Sequence, residues 1–326
     1  MRHLNIAIIG AGVAGLAAAS RLASMDAVIF EKSRGPGGRL ASKRIGPVRA
    51  DIGAQFFTVR DGRFQSVVDA GLSFGAIKPW NPRMGYLTTQ GIDSSPDTQL
   101  RFVGTPYMNA FGRFLADGLQ IETEVRIANI QKRNNGYQLT TTKHEEFTAN
   151  KVIVTTPVNQ MSDLLTGFET KAISDRFLMD PTWTLVMKTE SQLQDRGGTP
   201  LDACFGGDDP VIDFISMERS KPGRENNFVV IQSNPDWAAK HIGQTAESVA
   251  DVLCDAVRQR TGIIGEPLLA HRWSFARPKD PSVVSQKGLF QVDDGLWIAG
   301  DYLFGGRIEG AYLSGLEVAE RLLKSL

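Results

Sequence analysis

Apolar positions at the start of the chain come in a short solid block rather than in alternation. Leu4 to Ile9 is a continuous isoleucine-rich run, the pattern of a strand buried on both faces, and Gly10-Ala11-Gly12-Val13-Ala14-Gly15 follows with no gap. An alanine- and leucine-rich stretch then predicts a helix to about Ala23, a turn over Ser24 to Asp26, and a second strand over Ala27 to Phe30 that ends in Glu31.

Farther on the spacing changes. Phe64 to Ala70 and Tyr107 to Leu119 have helical periodicity, the second with Met108, Phe111, Phe114 and Leu115 on the face expected to pack on the first sheet. Ile77 to Asp93 predicts short strands with turns at Asn81-Pro82 and Gln90-Gly91, and Ser94 to Thr98 is a polar loop. Glu124 to Lys132 and Tyr137 to Thr142 alternate as strands joined at Asn134-Asn135-Gly136, a hairpin signal. Lys151 to Thr155 is a β-branched strand, so a three-stranded meander returns the chain to the first sheet.

From Asn159 to about Asp280 the texture is that of an antiparallel sheet covered by helices. Thr182 to Thr189, Val211 to Met217, Asn227 to Ser233 and Leu268 to Phe275 have strand character. Ser248 to Arg260 predicts an amphipathic helix with Val249, Val252, Leu253 and Val257 along its apolar stripe. Gly295 to Asp301 then reads as a buried strand ending in glycine and acid. Gly305-Gly306-Arg307-Ile308-Glu309-Gly310-Ala311 leads into a last helix with Leu313, Leu316, Ala319 and Leu323 on one side.

The opening strand, turn, helix, strand and acid make a complete dinucleotide fingerprint. Gly10 permits a tight turn, Gly12 lets bare backbone approach a pyrophosphate, and Gly15 lets helix and strand pack closely. The helix start offers unpaired N–H groups and the positive end of its dipole to phosphate. Glu31 stands where a carboxylate can accept hydrogen bonds from a ribose diol. Just beyond it, Lys32 and the Gly37-Gly38-Arg39 loop are well placed to meet a second phosphate or its sugar, although such a loop also serves as a plain surface turn. Gln55-Phe56-Phe57 offers an amide and two aromatics that are either core or neighbours of a flat ring. Gly300-Asp301 followed by Gly305 to Ala311 repeats the logic of the N-terminus, with the acid placed to hold a polyol chain.

Composition narrows the class. The chain has 326 residues, long for one core, and 36 basic residues balance 36 acidic ones, so nothing favours nucleic acid or an anionic membrane surface. No apolar run is long enough to span a bilayer. The N-terminal apolar stretch is better explained by the fingerprint than by an export signal, so a cytoplasmic protein is expected. The two cysteines, Cys204 and Cys254, form no CxxC pair; they are expected to be reduced and structural, and no metal site is expected.

These residues resemble those of FAD-dependent amine-oxidase-type flavoproteins over nearly the whole chain. The resemblance is carried by Gly10, Gly12 and Gly15 with Glu31, by Gly37-Gly38-Arg39, and by Gly300-Asp301 with Gly310-Ala311. Within that superfamily the chain is similar to renalases, particularly the bacterial ones, through its length, Asp51 to Phe57, Val103-Gly104-Thr105-Pro106 with Met108-Asn109, and Gly305 to Ala311. The resemblance implies an α/β (α+β overall) architecture: a Rossmann-type FAD-binding domain of p-hydroxybenzoate-hydroxylase topology plus an antiparallel-sheet substrate domain. Residues 1–75, 99–158 and 284–326 are assigned to the first and 76–98 and 159–283 to the second. It also implies noncovalent FAD, with Gly10, Gly12, Val13, Ala14 and Gly15 at the pyrophosphate and Glu31 at the adenosine ribose. Asp301 would meet the pyrophosphate or ribityl end, and the Val125 backbone the adenine. Lys32, Gly38, Arg39, Gln55, Phe56, Gly300, Glu309, Gly310 and Ala311 complete the expected cofactor set. Ser285 to Asp294 contains no cysteine for a covalent flavin bond.

The implied substrates are the dihydropyridine isomers of NAD(P)H reduced at ring position 2 or 6. They would lose hydride to flavin N5, with O2 then reduced to hydrogen peroxide. Such a donor needs positioning more than acid or base, since its ring nitrogen already pushes electrons toward the leaving hydride. No catalytic residue is therefore assigned; Phe57, Trp273, Tyr302 and His271 are pocket candidates, with a structural role the default for His271. Arg272 and Trp273 alternate across one strand, so only one can face the flavin. The rival readings are a flavin amine oxidase acting on a small amine, for which Lys188 is a candidate water-holding lysine, and a non-redox carrier resembling Rab GDP-dissociation inhibitors. A plain NAD-dependent dehydrogenase leaves the terminal Gly-Asp motif unexplained. The partners expected are a small-molecule substrate and O2, with the chain a monomer or weak dimer.

Overall fold

A computed structural model describes residues 1–283 and 289–325. Residues 284–288, where the last segment assigned to the FAD-binding domain begins, lie outside the described residues.

Two large sheets organise the chain. In the first, Arg2–Ile9 is central, with Glu146–Val154 parallel on one side and Ala27–Glu31 parallel on the other. Gln120–Thr123 extends the parallel set beyond Ala27–Glu31, and Leu296–Ala299 pairs parallel with Val152 to Val154. The carboxyl ends of all five strands therefore open on one edge, where ligands bind in sheets of this kind. The meander is as expected: Ile127–Arg133 and Gly136–Thr141 form a hairpin whose second strand pairs antiparallel with the start of Glu146–Val154. That last strand begins earlier than its β-branched part, and the short strand Gln120–Thr123 was not anticipated.

Both faces of the parallel sheet are covered, which is why its strands read as solid apolar runs. Ile6 and Ile8 face one core with the helices Val13–Arg21, Gly62–Phe74, Asn109–Leu115 and Arg307–Lys324. Ala7 and Ile9 face another, with Tyr137, Leu139, Phe177 and Tyr302. In the last helix the most buried face runs through Ala311, Leu313, Ser314, Gly315, Val318, Ala319 and Leu322, while Leu316 and Leu323 are half-buried. Small residues are needed there: a Cβ on Gly315 would lie 2.0 Å from the Ala14 carbonyl oxygen of the first helix.

The second sheet has the strand order Glu266–Pro278, Met179–Lys188, Phe228–Ser233, Ile212–Met217, Ala203–Phe205, Met84–Thr88, Gly91–Ser94. One face carries Trp183, Leu185, Met187, Ile215 and Ile231 against Trp237, Val249, Leu253 and Val257 of the covering helices. Val252, expected in that stripe, is exposed at 40%, because a 3.6-residue repeat carries it past the buried arc while Ala250 and Ala256 fall within it. The opposite face turns Val186, Phe228 and Val230 toward Ala50 and Ile52 of the first half of the chain. Among the described residues no helix is long and apolar enough to cross a membrane.

Candidate active site

The glycine turn sits at the carboxyl edge of the parallel sheet. Gly10 has φ +107°, and its N–H bonds the Phe30 carbonyl at 2.9 Å, tying the first strand end to the second. A Cβ on Gly15 would stand 2.0 Å from the Gly10 carbonyl oxygen, so the first helix can approach the strand end only with glycine there. Gly12, its N-cap, has no neighbour within 4 Å of a built Cβ, and no side chain caps the helix. Bare N–H groups at Val13 and Ala14 therefore face an open side of the turn, the arrangement that suits a pyrophosphate. Gly38 packs on that turn, its built Cβ 3.3 Å from the Gly12 Cα, and the Gly37 N–H bonds the Ala11 carbonyl. The two glycine loops of the sequence thus meet at one place.

Glu31 is buried and accepts the Ala11 N–H at 2.8 Å and the Ser33 N–H at 2.7 Å, which fixes its carboxylate beside the turn. Lys32 is exposed and reaches Gln160. Val125 lies next to Glu31, but its N–H bonds the Glu31 carbonyl at 3.0 Å, so only its carbonyl is left for an adenine.

Across the edge, Arg39 and Asp301 form a two-pronged ion pair, Nη1 to Oδ2 at 2.9 Å and Nη2 to Oδ1 at 2.5 Å. Arg39 Nη1 also donates to the Ala276 carbonyl at 2.7 Å. The arginine expected at a phosphate is therefore the residue that orients Asp301. The Gly300 N–H donates to Ser314 Oγ at 3.0 Å, which sets the strand end against the last helix. Gly310 and Ala311 lie at the start of that helix, but Glu309 turns elsewhere: its carboxylate accepts the Arg60 and Asp61 N–H groups at 2.6 and 2.8 Å. Glu309 thus ties this helix to the loop before Gly62–Phe74 rather than facing a cofactor.

The loop Ile52 to Phe56 joins the two halves. Thr184 Oγ1 and Trp273 Nε1 each donate to the Ile52 carbonyl at 2.8 Å, and Gln232 Nε2 donates to the Gly53 carbonyl at 2.8 Å. Ala54 N–H bonds the Arg39 carbonyl at 2.9 Å, which connects the loop to the Arg39–Asp301 pair. In register, His271, Thr184, Gln232, Phe214, Phe205 and Tyr86 form one row across six strands. Directly paired residues share a face, and this is the face turned to the loop. Trp273, two residues from His271, shares it and meets the imidazole edge-on at 4.8 Å. Arg272 points the other way, over Trp183. Burial, with a smaller contribution from Lys43, pushes the His271 imidazole down to about 4.

The two adjacent phenylalanines go to different places. Phe57 is 4% exposed and stacks on Phe102 and Phe111 at 5.7 and 5.1 Å, so it is core and not a pocket wall. Phe56 is half-buried and meets Phe214 at 5.6 Å on the row. Tyr302 is also withdrawn: it is 1% exposed, its hydroxyl donates to the Thr156 carbonyl at 3.4 Å, and its ring packs on Phe177. It lines a separate cavity of about 210 Å³ with Arg176, Pro278 and Lys279 among others.

Gln55 is not available to a flavin either. Its Nε2 donates to the Asp51 and Gly53 carbonyls at 2.6 and 3.1 Å, and its Oε1 accepts Lys221 Nζ at 2.8 Å. This amide is one edge of a fully buried cluster of four charged side chains that the sequence did not reveal. Arg224 Nη2 pairs with Asp51 Oδ2 at 2.5 Å, Lys221 Nζ with Glu218 Oε1 at 2.5 Å, and all four side chains are at 0% exposure. Asp51 Oδ1 also accepts the Met108 N–H and the Ser42 hydroxyl. Burial pushes the Glu218 carboxyl up. A signal existed in the Glu-x-x-Lys-x-x-Arg spacing of 218–224, but beside Pro222 and Gly223 it reads as a solvated loop. Among the described residues no His, Cys, Asp and Glu cluster could hold a metal ion.

Comparison with known proteins agrees with this geometry. Residues 8–70 match the NAD(P)-binding Rossmann-like domain, and residues 86–323 match the flavin containing amine oxidoreductase family. A zeta-carotene-forming phytoene desaturase of Myxococcus xanthus is 48% identical over 51 residues, which is 15% of this chain and only 10% of that protein. Among solved structures, an engineered putrescine oxidase superposes with TM-score 0.70 at 12% identity, covering 99% of both chains. A CLA-producing fatty acid isomerase from P. acnes superposes with TM-score 0.71 at 13% identity, covering 98% of both. At these identities the likeness is one of fold: a Rossmann-like half joined to a sheet that is antiparallel except where Ala203–Phe205 pairs parallel with Met84–Thr88. The family match spans most of the chain, and the chain belongs to the flavin-containing amine oxidoreductases.

Proposed function

We propose that this chain holds FAD noncovalently and oxidises dihydropyridine isomers of NAD(P)H reduced at ring position 2 or 6, returning NAD(P)+. Bound FAD would supply the two-electron acceptor, taking hydride from the ring carbon at N5 and passing both electrons, with one further proton, to O2 as hydrogen peroxide. The residues fit that cofactor: Gly12, Val13 and Ala14 offer bare amides to the pyrophosphate, Glu31 is fixed beside them, and Arg39 holds Asp301 at the opposite strand end. Ser285 to Asp294 offers no cysteine for a covalent link.

The row His271, Thr184, Gln232, Phe214, Phe205 and Tyr86 carries the reading. It contains no carboxylate and no lysine. Thr184 spends its hydroxyl on the Ile52 carbonyl, Gln232 gives one of its two amide N–H groups to the Gly53 carbonyl, and His271, pushed down to about 4, is neutral at pH 7. A face of this kind can position a flat donor and exclude water but has no ionised base to offer. That suits a dihydropyridine, whose nitrogen drives the hydride out unaided. Lys188, the candidate for amine oxidation, is exposed at the end of its strand, paired in register with Glu266 and away from the row.

Purified protein is expected to be yellow and to release FAD on denaturation. In air it should form one hydrogen peroxide and one NAD(P)+ for each isomer consumed. Colourless protein that takes up no added FAD, or peroxide formed without NAD(P)+, would overturn the proposal.

A further inference from the structure

We infer that the aromatic end of the same row, Phe205 and Tyr86 backed by Phe56 and Phe214, is a stacking shelf for the adenine ring of a dinucleotide substrate; the inference rests on the proposed function. Tyr86 and Phe205 are paired in register and stacked at 5.3 Å with 26° between ring planes. Phe205 meets Phe214 at 5.2 Å, and Phe214 meets Phe56 at 5.6 Å, so four rings run on from the loop at Ile52 to Phe56. Tyr86 is 41% exposed and Phe205 half-buried, whereas Phe214 and Trp80 behind them are buried. The backing is packed in turn: Trp80 meets Phe56 at 6.0 Å, and Lys221 Nζ lies 5.6 Å from the Trp80 ring centroid.

Distance along the row separates two ring positions. On the proposed function the donor ring lies against the loop that Thr184 and Gln232 hold. Phe205 and Tyr86 lie two and three strands beyond Gln232, which is about 10 and 14 Å at ordinary strand spacing. That sets them apart from the Ile52–Gly53 end of the loop, with Phe56 at its other end 6.4 Å from Phe205 and filling the gap between, and it is within the span of an extended dinucleotide. Every nucleobase has a π-face, so an exposed stacked pair recognises adenine without needing a hydrogen-bond code.

Two measurements on the FAD-loaded protein test this. ADP-ribose, which carries the adenine but no reducing ring, should bind the oxidised holoenzyme in a calorimetric titration. Phe205→Ala should weaken it roughly tenfold, the scale of one lost base stack, and Phe205→Trp should retain it. In anaerobic flavin reduction, the preference for a dihydro-NAD isomer over the matching dihydronicotinamide mononucleotide should fall by a similar factor in Phe205→Ala and in Tyr86→Ala. The shelf is overturned if ADP-ribose fails to bind the parent protein, if Phe205→Ala leaves both its affinity and that preference unchanged, or if the alanine variants weaken both substrates alike. If ADP-ribose binds with this dependence while no isomer bleaches the flavin, the redox proposal fails and the adenine site stands.

Discussion

Replacing Arg224 with methionine probes the buried charge cluster most sharply. The substitution keeps much of the side-chain volume but removes the cation that pairs with Asp51 and donates to the Gly104, Pro106 and Pro222 carbonyls. Asp51 would retain its Ser42 and Met108 donors yet lose its closest positive charge, at 0% exposure. Removing one partner of a buried pair costs about 3–5 kcal/mol, because the other charge stays buried without compensation. Unfolding entropy of about 2.1 cal/mol/K per residue gives roughly 0.7 kcal/mol/K for a chain of this size, so a loss of about 4 kcal/mol lowers Tm by about 6 °C. Urea unfolding of apo and FAD-loaded protein would measure the loss. Asp51→Asn combined with Arg224→Met should cost less than the two single changes added together, since the double variant leaves no unpaired charge. Arg224→Met unfolding within about 1 kcal/mol of the parent, or strict additivity in the double variant, would refute the account of this cluster as a coupled lock between the two halves of the chain.

Other perturbations separate the roles assigned above. Asp301→Ala should lower flavin retention on gel filtration, read from the ratio of flavin to protein absorbance; full occupancy would show that the Arg39–Asp301 pair is not part of the cofactor site. Gly15→Ala forces a methyl onto the Gly10 carbonyl and should destabilise by about 1–3 kcal/mol and weaken FAD binding, measured by unfolding and by flavin fluorescence. His271 is lowered in the folded protein relative to its ordinary value of 6.5. The folded state therefore binds fewer protons than the unfolded chain between about 4 and 6.5, and this contribution to stability is complete above 6.5 and lost as pH falls toward 4. His271→Gln should flatten that part of the stability profile, and an unchanged slope would contradict the assigned burial. Phe57→Ala, in the core, should cost about 3–5 kcal/mol, whereas Trp273→Phe, which loses only the Ile52 bond and some contact, should cost about 1 kcal/mol by the same assay.

What could be seen in the sequence was local. The Gly10 to Glu31 unit and the Asn134-Asn135-Gly136 hairpin are fixed by backbone geometry within a few residues, and they appear as expected. The second glycine-acid turn was legible for the same reason. Side-chain destinations set by distant packing were not. Phe56 and Phe57 are adjacent and outside any named strand, yet one goes to the seam and the other, bridged to Phe102, to the core. Glu309 resembles a cofactor residue in its motif but is taken by the amides of Arg60 and Asp61, which are remote in sequence. The stretch from Glu218 to Arg224 is polar and interrupted by proline and glycine. Its burial follows from partners at Asp51 and Gln55, more than 160 residues away. Nor can a sequence give the register that lines up His271, Thr184, Gln232 and Phe214, since that depends on pairings between four separate strands.

The central claim is tested most directly by mixing the FAD-loaded protein anaerobically with equal concentrations of a dihydropyridine isomer of NAD(P)H or of a primary amine and following the flavin absorbance. The isomer should bleach the flavin much the faster, leaving NAD(P)+ in solution. Faster bleaching by the amine would contradict the account.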